Sequence, residues 1–295
     1  MSATPGAYSG RVSDAAIPFR KGHGTGNDFV ILDDPDAQLD LTPGRVRALC
    51  DRRFGIGGDG VLRVVRAGAA DVAPGLVAGA RWFMDYRNSD GSIGEMCGNG
   101  ARVFAVHLVS SGLESDDTFL IGTRGGPRRV WLDGAGQVRV AMGPTVVEQA
   151  DSAVVGLGGE TWPATPAFAP NPHAVVLLPA GADLADLGEI GGSTAGPAEQ
   201  FPDGANIEFV VTESADRVAL RVNERGSGET LSCGTGACAV AAVHRSRTQS
   251  PPDTVVVEVP GGELVVGFES GGTVLAGPAE IVASGRLDPD WWDRT

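Results

Sequence analysis

The feature that most constrains the fold is a short motif that occurs twice. Cys-Gly-x-Gly-Ala stands at Cys97–Ala101 and again at Cys233–Ala237. Each copy precedes a run that is apolar almost all the way round, at 103–109 and 239–243, which is typical of a helix buried on all sides. The two copies lie about one domain length apart in the chain. The sequence therefore predicts two related halves whose helix starts face each other across a cleft.

A cysteine at the start of a buried helix has unusual chemical surroundings. The unpaired backbone N–H groups and the positive end of the helix dipole stabilise an anion there. We therefore expect the pKa of both thiols to fall below the usual value of about 8.5. The glycines allow close backbone approach, and the same N–H groups suit a substrate carboxylate. One such cysteine alone is more often a buried structural residue, but the repetition favours a function.

Two thiols that face one cleft suit a particular reaction. A base on one side of a carbon centre and an acid on the other invert that centre by proton transfer. Cys97 and Cys233 would supply this pair, one as thiolate and one as thiol, and would exchange roles in the reverse direction.

Composition limits the classes of partner. With 295 residues and 42% hydrophobic content, the chain can form one large domain or two of about 140 residues. The net charge of −14 disfavours nucleic acid and anionic membranes. No signal-peptide pattern and no apolar run of about 18 residues occur, so we expect no membrane association and a cytoplasmic location. Four cysteines without metal-site spacing predict no bound metal, and a homodimer is left open.

The predicted organisation is a tail and two lobes. Residues 1–16 are small and polar and predict a flexible tail. The N-terminal lobe covers 17–143 together with 278–295, and the C-terminal lobe covers 144–277, with the boundary at Gly143-Pro144.

The predicted fold class is α/β (α+β), because strands dominate and each half has one buried helix. A single helix cannot cover two sheet faces, so we expect two pseudo-symmetric halves, each a curved, mostly antiparallel sheet wrapped around a central helix, with the active site between them. A further helix is predicted from Thr42-Pro43 towards Arg53. The Gly/Ala-rich stretch 183–201 receives no assignment.

Seven sequence blocks, in the same order, resemble those of the diaminopimelate epimerase family. The blocks are Gly24–Phe29, Asn88–Ser92, Met96–Arg102, Asn171–His173, Asn206–Phe209, Glu224–Thr230 and Ser232–Ala237. The third and sixth separate this family from the related proline racemases. The resemblance implies a cofactor-independent epimerase that interconverts LL- and meso-2,6-diaminopimelate, a step of lysine and peptidoglycan precursor biosynthesis.

The resemblance also implies roles for individual residues. Cys97 and Cys233 correspond to the acid–base pair, and His173 and Glu224 would lie near the ammonium group of the reacting centre. The backbone that would hold its carboxylate belongs to Gly98, Asn99, Gly234 and Thr235. The residues that would recognise the distal amino-acid end are Asn27, Asn88, Asn171, Asn206 and Arg225. Asparagine offers both a donor and an acceptor, and arginine can clamp a carboxylate.

The chain departs from the family pattern at Gly60, where many relatives have glutamine, so Gly60 is a weak candidate for the site. Cys50 and Cys238 are predicted to fill the core.

No cofactor is expected. The Cα–H of an amino acid is a very weak acid, and most racemases use pyridoxal phosphate on a lysine. Lys21 is the only lysine, and it lies in no recognisable motif. The protein would instead stabilise a carbanion-like state with fixed dipoles in a dry cleft that closes on a small-molecule substrate.

Three alternatives remain open. A proline-racemase-like epimerase would use the same pair of thiols. A dithiol redox protein would oxidise Cys97 and Cys233 to a disulfide, although redox pairs usually share one local motif. A non-catalytic amino-acid or nucleotide-binding module is disfavoured, because Gly22–Gly26 lacks the spacing of a dinucleotide fingerprint.

Overall fold

The computed structural model describes residues 16–134, 136–148, 151–192 and 194–295. The predicted tail, apart from Ala16, lies outside the described residues. The helices are α1 (Pro43–Cys50), α2 (Gly98–Ser110), α3 (Gly234–Arg247) and α4 (Pro289–Arg294). Short 3₁₀ helices cover Ala67–Ala69, Pro74–Val77 and Leu184–Leu187.

Strands account for most of the regular structure in the described residues. They are β1 (Pro18–Gly24), β2 (Asn27–Asp33), β3 (Gly60–Arg66), β4 (Trp82–Asn88), β5 (Thr118–Gly122), β6 (Arg128–Leu132), β7 (Gln137–Gly143), β8 (Val146–Val147), β9 (Ala153–Leu157), β10 (Glu160–Phe168), β11 (Pro172–Leu177), β12 (Thr194–Ala195), β13 (Asn206–Ser214), β14 (Arg217–Glu224), β15 (Gly228–Thr230), β16 (Thr254–Val259), β17 (Gly262–Glu269), β18 (Gly272–Pro278) and β19 (Glu280–Arg286).

The same pairing order occurs twice. In the first half β1 and β2 are antiparallel, β2 and β3 parallel, β3 and β4 antiparallel, and β4 and β5 parallel, followed by antiparallel β6 and β7. In the second half β10, β11, β13, β14, β16, β17 and β18 repeat this series. Parallel neighbours need a crossover connection, and α2 and α3 lie in the equivalent ones. The predicted fold class is confirmed.

Two further pairings tie the chain together. Strand β7 of the first half pairs with β18 of the second, so one sheet continues from one half into the other. After β18 the chain returns as β19 and pairs antiparallel with β1. The sheet therefore bends around both central helices.

The central helices are buried on all sides because their sequences are apolar on every face. In α2, Val103, Phe104 and Leu108 are fully buried, and in α3 so are Ala239 and Val240. Both helices belong to one continuous apolar cluster. Burial of a large side chain of this kind stabilises the fold by roughly 1.5–3 kcal/mol.

Some local predictions need correction. The helix predicted to run towards Arg53 begins after the Thr42 cap as expected but ends at Cys50, because Asp51 has an extended backbone and accepts hydrogen bonds from the next loop. Strands β9 and β10 were not predicted. The unassigned stretch 183–201 contains a 3₁₀ helix and β12.

No helix in the described ranges is long and apolar enough to cross a membrane.

Candidate active site

Both repeated cysteines are N-cap residues of their helices. Cys97 precedes α2 with φ −139° and ψ 119°, and Cys233 precedes α3 with φ −123° and ψ 114°. Each sulfur accepts a hydrogen bond from the backbone three residues on, from Gly100 N and Gly236 N, at 3.4 Å in both cases. Because an N-cap side chain accepts from an otherwise unpaired N–H, the two motifs build the same local structure.

The two helix starts touch each other. A Cβ placed on Gly234 would lie 3.2 Å from the Cα of Gly98 and 2.9 Å from the Leu275 side chain, which also lies 2.9 Å from a Cβ on Gly98. The amide of Asn99 donates to Ser232 O at 3.0 Å, immediately before Cys233. Glycine at these positions thus permits the close approach, and the structure brings the two cysteine motifs into contact.

Asn27 contacts the Cys97 side of this site. Its Nδ2 donates to Asp59 Oδ2 at 2.8 Å, which directs its Oδ1 towards the Asn99 amide at 3.2 Å and the Cys97 sulfur at 3.7 Å. Asp59 is also bound by Arg52 at 2.7 Å. Asp59 therefore fixes the orientation of the Asn27 amide, a role that sequence reasoning did not assign.

The only lysine of the chain, Lys21, is held in a network of ion pairs. Lys21 forms an ion pair with Asp28 at 2.7 Å, and Arg52 binds the same carboxylate. Burial raises the pKa of Asp28, but the hydrogen bonds from Arg52 and Lys21 outweigh it and hold that pKa well below its usual range. The Lys21 amine is thus engaged in holding the start of β2.

A buried cation lies behind Cys97. The Arg102 side chain is fully buried, and its guanidinium donates to Thr25 Oγ1 at 3.1 Å and to Pro278 O at 3.3 Å. Burial lowers the pKa of Arg102 to about 10. Burial and the charge of Glu224 raise the pKa of the Cys97 thiol, and the positive charge of Arg102 partly offsets this.

Cys233 is surrounded by different groups. Asn206 Nδ2 faces its sulfur at 3.6 Å while Asn206 Oδ1 accepts from Arg225 N at 2.9 Å, and Thr235 Oγ1 lies 3.4 Å from the sulfur. Burial raises the pKa of the nearby Glu224, against the lowering effect of hydrogen bonds from Thr230 and Cys233. The second half thus places a carboxyl group beside its thiol.

His173 and Glu208 form a buried pair next to α3. His173 Nδ1 lies 2.7 Å from Glu208 Oε1, and both side chains are fully buried. His173 Nε2 is 3.1 Å from Asn171 Oδ1. Glu208 Oε1 would lie 2.7 Å from a Cβ on Gly236, and its Oε2 has no hydrogen-bond partner among the described residues.

Sequence reasoning missed Glu208. The available signal was a carboxylate within an otherwise apolar strand, two residues after Asn206 and therefore on the same face.

The expected low thiol pKa is wrong for this structure. Burial raises the pKa of Cys97 to about 11 and raises that of Cys233 well above its usual value. At Cys233 the charges of Glu224 and Glu208 add to this effect. The hydrogen bonds from Gly100 and Gly236 act in the opposite direction but are smaller than the cost of removing a thiolate from water.

The raised pKa of Cys97 predicts a loss of stability at high pH. The Cys97 thiol has a pKa of 9.0 in the unfolded chain and about 11 in the folded protein. Below about pH 9 it is protonated in both states, and its contribution to the free energy of unfolding is complete. As pH rises towards 11, only the unfolded chain loses this proton, so the free energy of unfolding falls. Urea unfolding between pH 8 and 11 should show a shallower fall for Cys97→Ser. The other three thiols also have raised pKa values but are present in both proteins, so the difference between the two slopes belongs to Cys97. Equal slopes for both proteins would contradict the assignment.

Two predicted substrate residues are less directly placed. Asn88 pairs across the sheet with Gly60 and donates to Ser92 Oγ at 2.9 Å. The Arg225 side chain is exposed and donates to Asp203 O at 3.2 Å. Neither side chain makes a hydrogen bond to Cys97 or Cys233 in the described part of the chain. Gly60 lies against the Arg87 backbone and the Tyr86 ring of β4.

The remaining cysteines are core residues. Cys238 is fully buried and Cys50 is 6% exposed, and burial raises the pKa of both to about 12. All four cysteines are free thiols. Within the described ranges no three His, Cys, Asp or Glu residues are grouped so as to hold a metal ion.

Comparison with solved structures supports the fold. A hydroxyproline epimerase from Agrobacterium vitis, solved with bound trans-4-hydroxy-L-proline, matches with a TM-score of 0.68 at 15% identity over 95% of both chains. A phenazine biosynthesis protein of the PhzF family from Bacillus anthracis matches with a TM-score of 0.65 at 16% identity, over 92% of this chain and 99% of that one. At these identities the likeness concerns the fold alone.

Sequence relatives are much more similar. The profile described as diaminopimelate epimerase matches residues 19–148 and 169–282. A diaminopimelate epimerase of Streptomyces coelicolor is 48% identical over 283 residues, which cover 93% of this chain and 96% of that protein. One from Mycolicibacterium smegmatis is 48% identical over 287 residues, with 93% and 98% covered. The resemblance seen in the seven blocks is thereby confirmed, and the chain belongs to the diaminopimelate epimerase family.

Proposed function

We propose that this chain interconverts LL- and meso-2,6-diaminopimelate by a two-base mechanism without a cofactor. The observation that carries the proposal is the pair of N-cap thiols, Cys97 and Cys233, at two helix starts that touch through Gly98 and Gly234. Family membership supports the same substrate.

In the proposed reaction one sulfur acts as a thiolate and removes the proton from the reacting Cα. The electron pair of the broken C–H bond stays on carbon, next to the carboxylate. The other sulfur, a thiol, gives its proton to the opposite face of that carbon. The product has the inverted configuration, and the two sulfurs have exchanged protonation states, so no other reactant is consumed.

The helix starts would stabilise the charge that develops in this reaction. The backbone N–H groups at Gly98-Asn99 and Gly234-Thr235 belong to the first turns of α2 and α3. A carboxylate between them would accept from donors that are already oriented, which costs little reorganisation in the transition state. The burial that raises both thiol pKa values also excludes water, which strengthens these interactions.

The remaining family positions complete the substrate site. His173 and Glu224 would lie near the reacting ammonium group. The distal amino-acid end would be held by Asn27, Asn88, Asn171, Asn206 and Arg225. Because Arg225 binds loop carbonyls here, its role requires that the side chain turn towards the substrate. A cytoplasmic location, a homodimeric state and lobes of 17–143 with 278–295 and 144–277 belong to the same proposal.

The test is proton exchange in D₂O. Purified protein incubated with LL-diaminopimelate should form meso-diaminopimelate and introduce one deuterium at the inverted carbon, as measured by mass spectrometry and chiral chromatography. Proline and 4-hydroxyproline should not exchange. Exchange of proline but not of diaminopimelate would favour the proline-racemase-like alternative. Turnover that requires prior oxidation of the thiols would favour the redox alternative.

A further inference from the structure

Tyr86 lies directly beneath the first turn of α2. In β4 it shares a face with Met84, which is part of the core around α2, and with Asn88. Across the sheet it pairs with Leu62 of β3, and its ring packs edge-on against Phe29 with a centroid distance of 6.0 Å. Leu62 and Phe29 in turn lie 3.2 and 3.5 Å from a Cβ on Gly100 of α2. The Tyr86 ring therefore belongs to the layer that supports the Cys97 helix start.

The chain uses glycine at two positions that this ring approaches. A Cβ on Gly60 would lie 2.5 Å from Arg87 O and 2.8 Å from Tyr86 Cε2, and one on Gly94 would lie 2.3 Å from Cδ1. Neither glycine has a positive φ, so the backbone conformation does not require them. Gly60, the position that departs from the family pattern, is explained by its close approach to the Arg87 backbone and the Tyr86 ring, and Gly94 by the ring.

The hydroxyl group of Tyr86 has no hydrogen-bond partner in the part of the chain that the structure describes, although the residue is only partly exposed. Burial raises the pKa of Tyr86 well above its usual value, and the acidic groups Cys97, Glu224, Asp59 and Cys233 raise it further when they are ionised. The hydroxyl therefore stays protonated and can donate a hydrogen bond to a bound group.

We propose that Tyr86 is a substrate-binding residue whose hydroxyl donates a hydrogen bond to the distal carboxylate of the substrate. This inference rests on the proposed function. The reacting carboxylate already has the N–H groups of two helix starts, whereas the distal carboxylate has Arg225 alone as a charged donor in the proposal. Tyr86 shares its face of β4 with Asn88, a predicted distal-end residue. Its ring packs against Gly60, which directly follows the Asp59 that orients Asn27, a second such residue. These neighbours place Tyr86 at the distal end of the substrate in this proposal.

Tyr86→Phe tests the inference because it removes the hydroxyl and keeps the ring between the two glycines. A hydrogen bond to a charged group contributes about 1.5–3 kcal/mol, so KM for diaminopimelate should rise about 10-fold or more. Because the bond is made in both ground and transition states, kcat should change by less than about threefold. Tyr8→Phe, which removes the only other phenol of the chain, is the matched control and should change neither value.

The outcomes of this experiment distinguish the role of Tyr86 from the proposed function as a whole. If the unmodified protein epimerises diaminopimelate and Tyr86→Phe has unchanged KM, or loses kcat at constant KM, the inference is overturned. An equal melting temperature for both proteins is expected and excludes a folding defect as the cause of a higher KM. A higher KM accompanied by a lower melting temperature would overturn the inference and assign Tyr86 a structural role. Absence of activity in the unmodified protein would overturn the proposed function itself.

Discussion

Cys97→Ala and Cys233→Ala should each lower kcat/KM for epimerisation by about 10³-fold or more. Each substitution removes one of the two proton-transfer groups, and positioned acid–base groups contribute about 10²–10⁴-fold each. Inversion needs both faces of the carbon, so neither variant has a second route. Chiral chromatography of product formed from LL-diaminopimelate measures the effect.

The control for this experiment is Cys238→Ala. It removes a thiol from the helix that follows Cys233, but this thiol is fully buried in the core and hydrogen-bonded to Thr273. It should keep activity within about threefold while losing some stability, because a buried sulfur is removed. Retention of more than a tenth of the activity by either Cys97→Ala or Cys233→Ala would rule out the two-base mechanism.

Gly261→Ala should destabilise the protein by about 3 kcal/mol, at the upper end of overpacking effects. A Cβ at this position would lie 1.8 Å from Thr25 O and 2.6 Å from Thr25 C. A backbone carbonyl cannot rotate away as a side chain can. Gly261 N also donates to Leu231 O at 2.9 Å, and Ser232 Oγ contacts Thr25 Oγ1 at 2.7 Å. The substitution would therefore push the β1–β2 turn away from the second half.

The melting temperature should fall by about 5 °C or more, and epimerisation should fall with it because the displaced turn leads directly into Asn27. Gly271→Ala is the matched control. It stands in the next turn of the same half, has no heavy atom within 4 Å of its added Cβ and has no positive φ. Equal melting temperatures for the two variants would show that the contact between Thr25 and Gly261 is unimportant.

The sequence predicted the features that depend on local pattern. The doubled motif at Cys97 and Cys233 carries its own glycines and its own apolar run, so both helix starts could be placed from the chain alone. The pairing of the two starts followed from repetition. The distal-end residues and the substrate came from family resemblance, since single asparagines have no distinctive pattern.

What the sequence did not predict depends on contacts between distant segments. The pKa of a thiol depends on how deeply the thiol is buried. At Cys97 the effect of burial, which raises the pKa, is larger than the effect of the helix N–H groups, which lower it. Glu208 bonds to His173 only because β11 and β13 are parallel neighbours. Tyr86 meets Gly60 across β3 and β4, and Gly94 through a turn. None of these pairs is adjacent in the chain.

The two copies of the motif have matching backbones but unequal electrical surroundings. Glu224 raises the pKa of both thiols, but the buried Arg102 cation partly offsets this at Cys97, whereas Glu208 adds to it at Cys233. The duplicated dyad is therefore polarised. An internal repeat has in this way yielded two unequal partners, as a reaction that starts with one base and one acid demands.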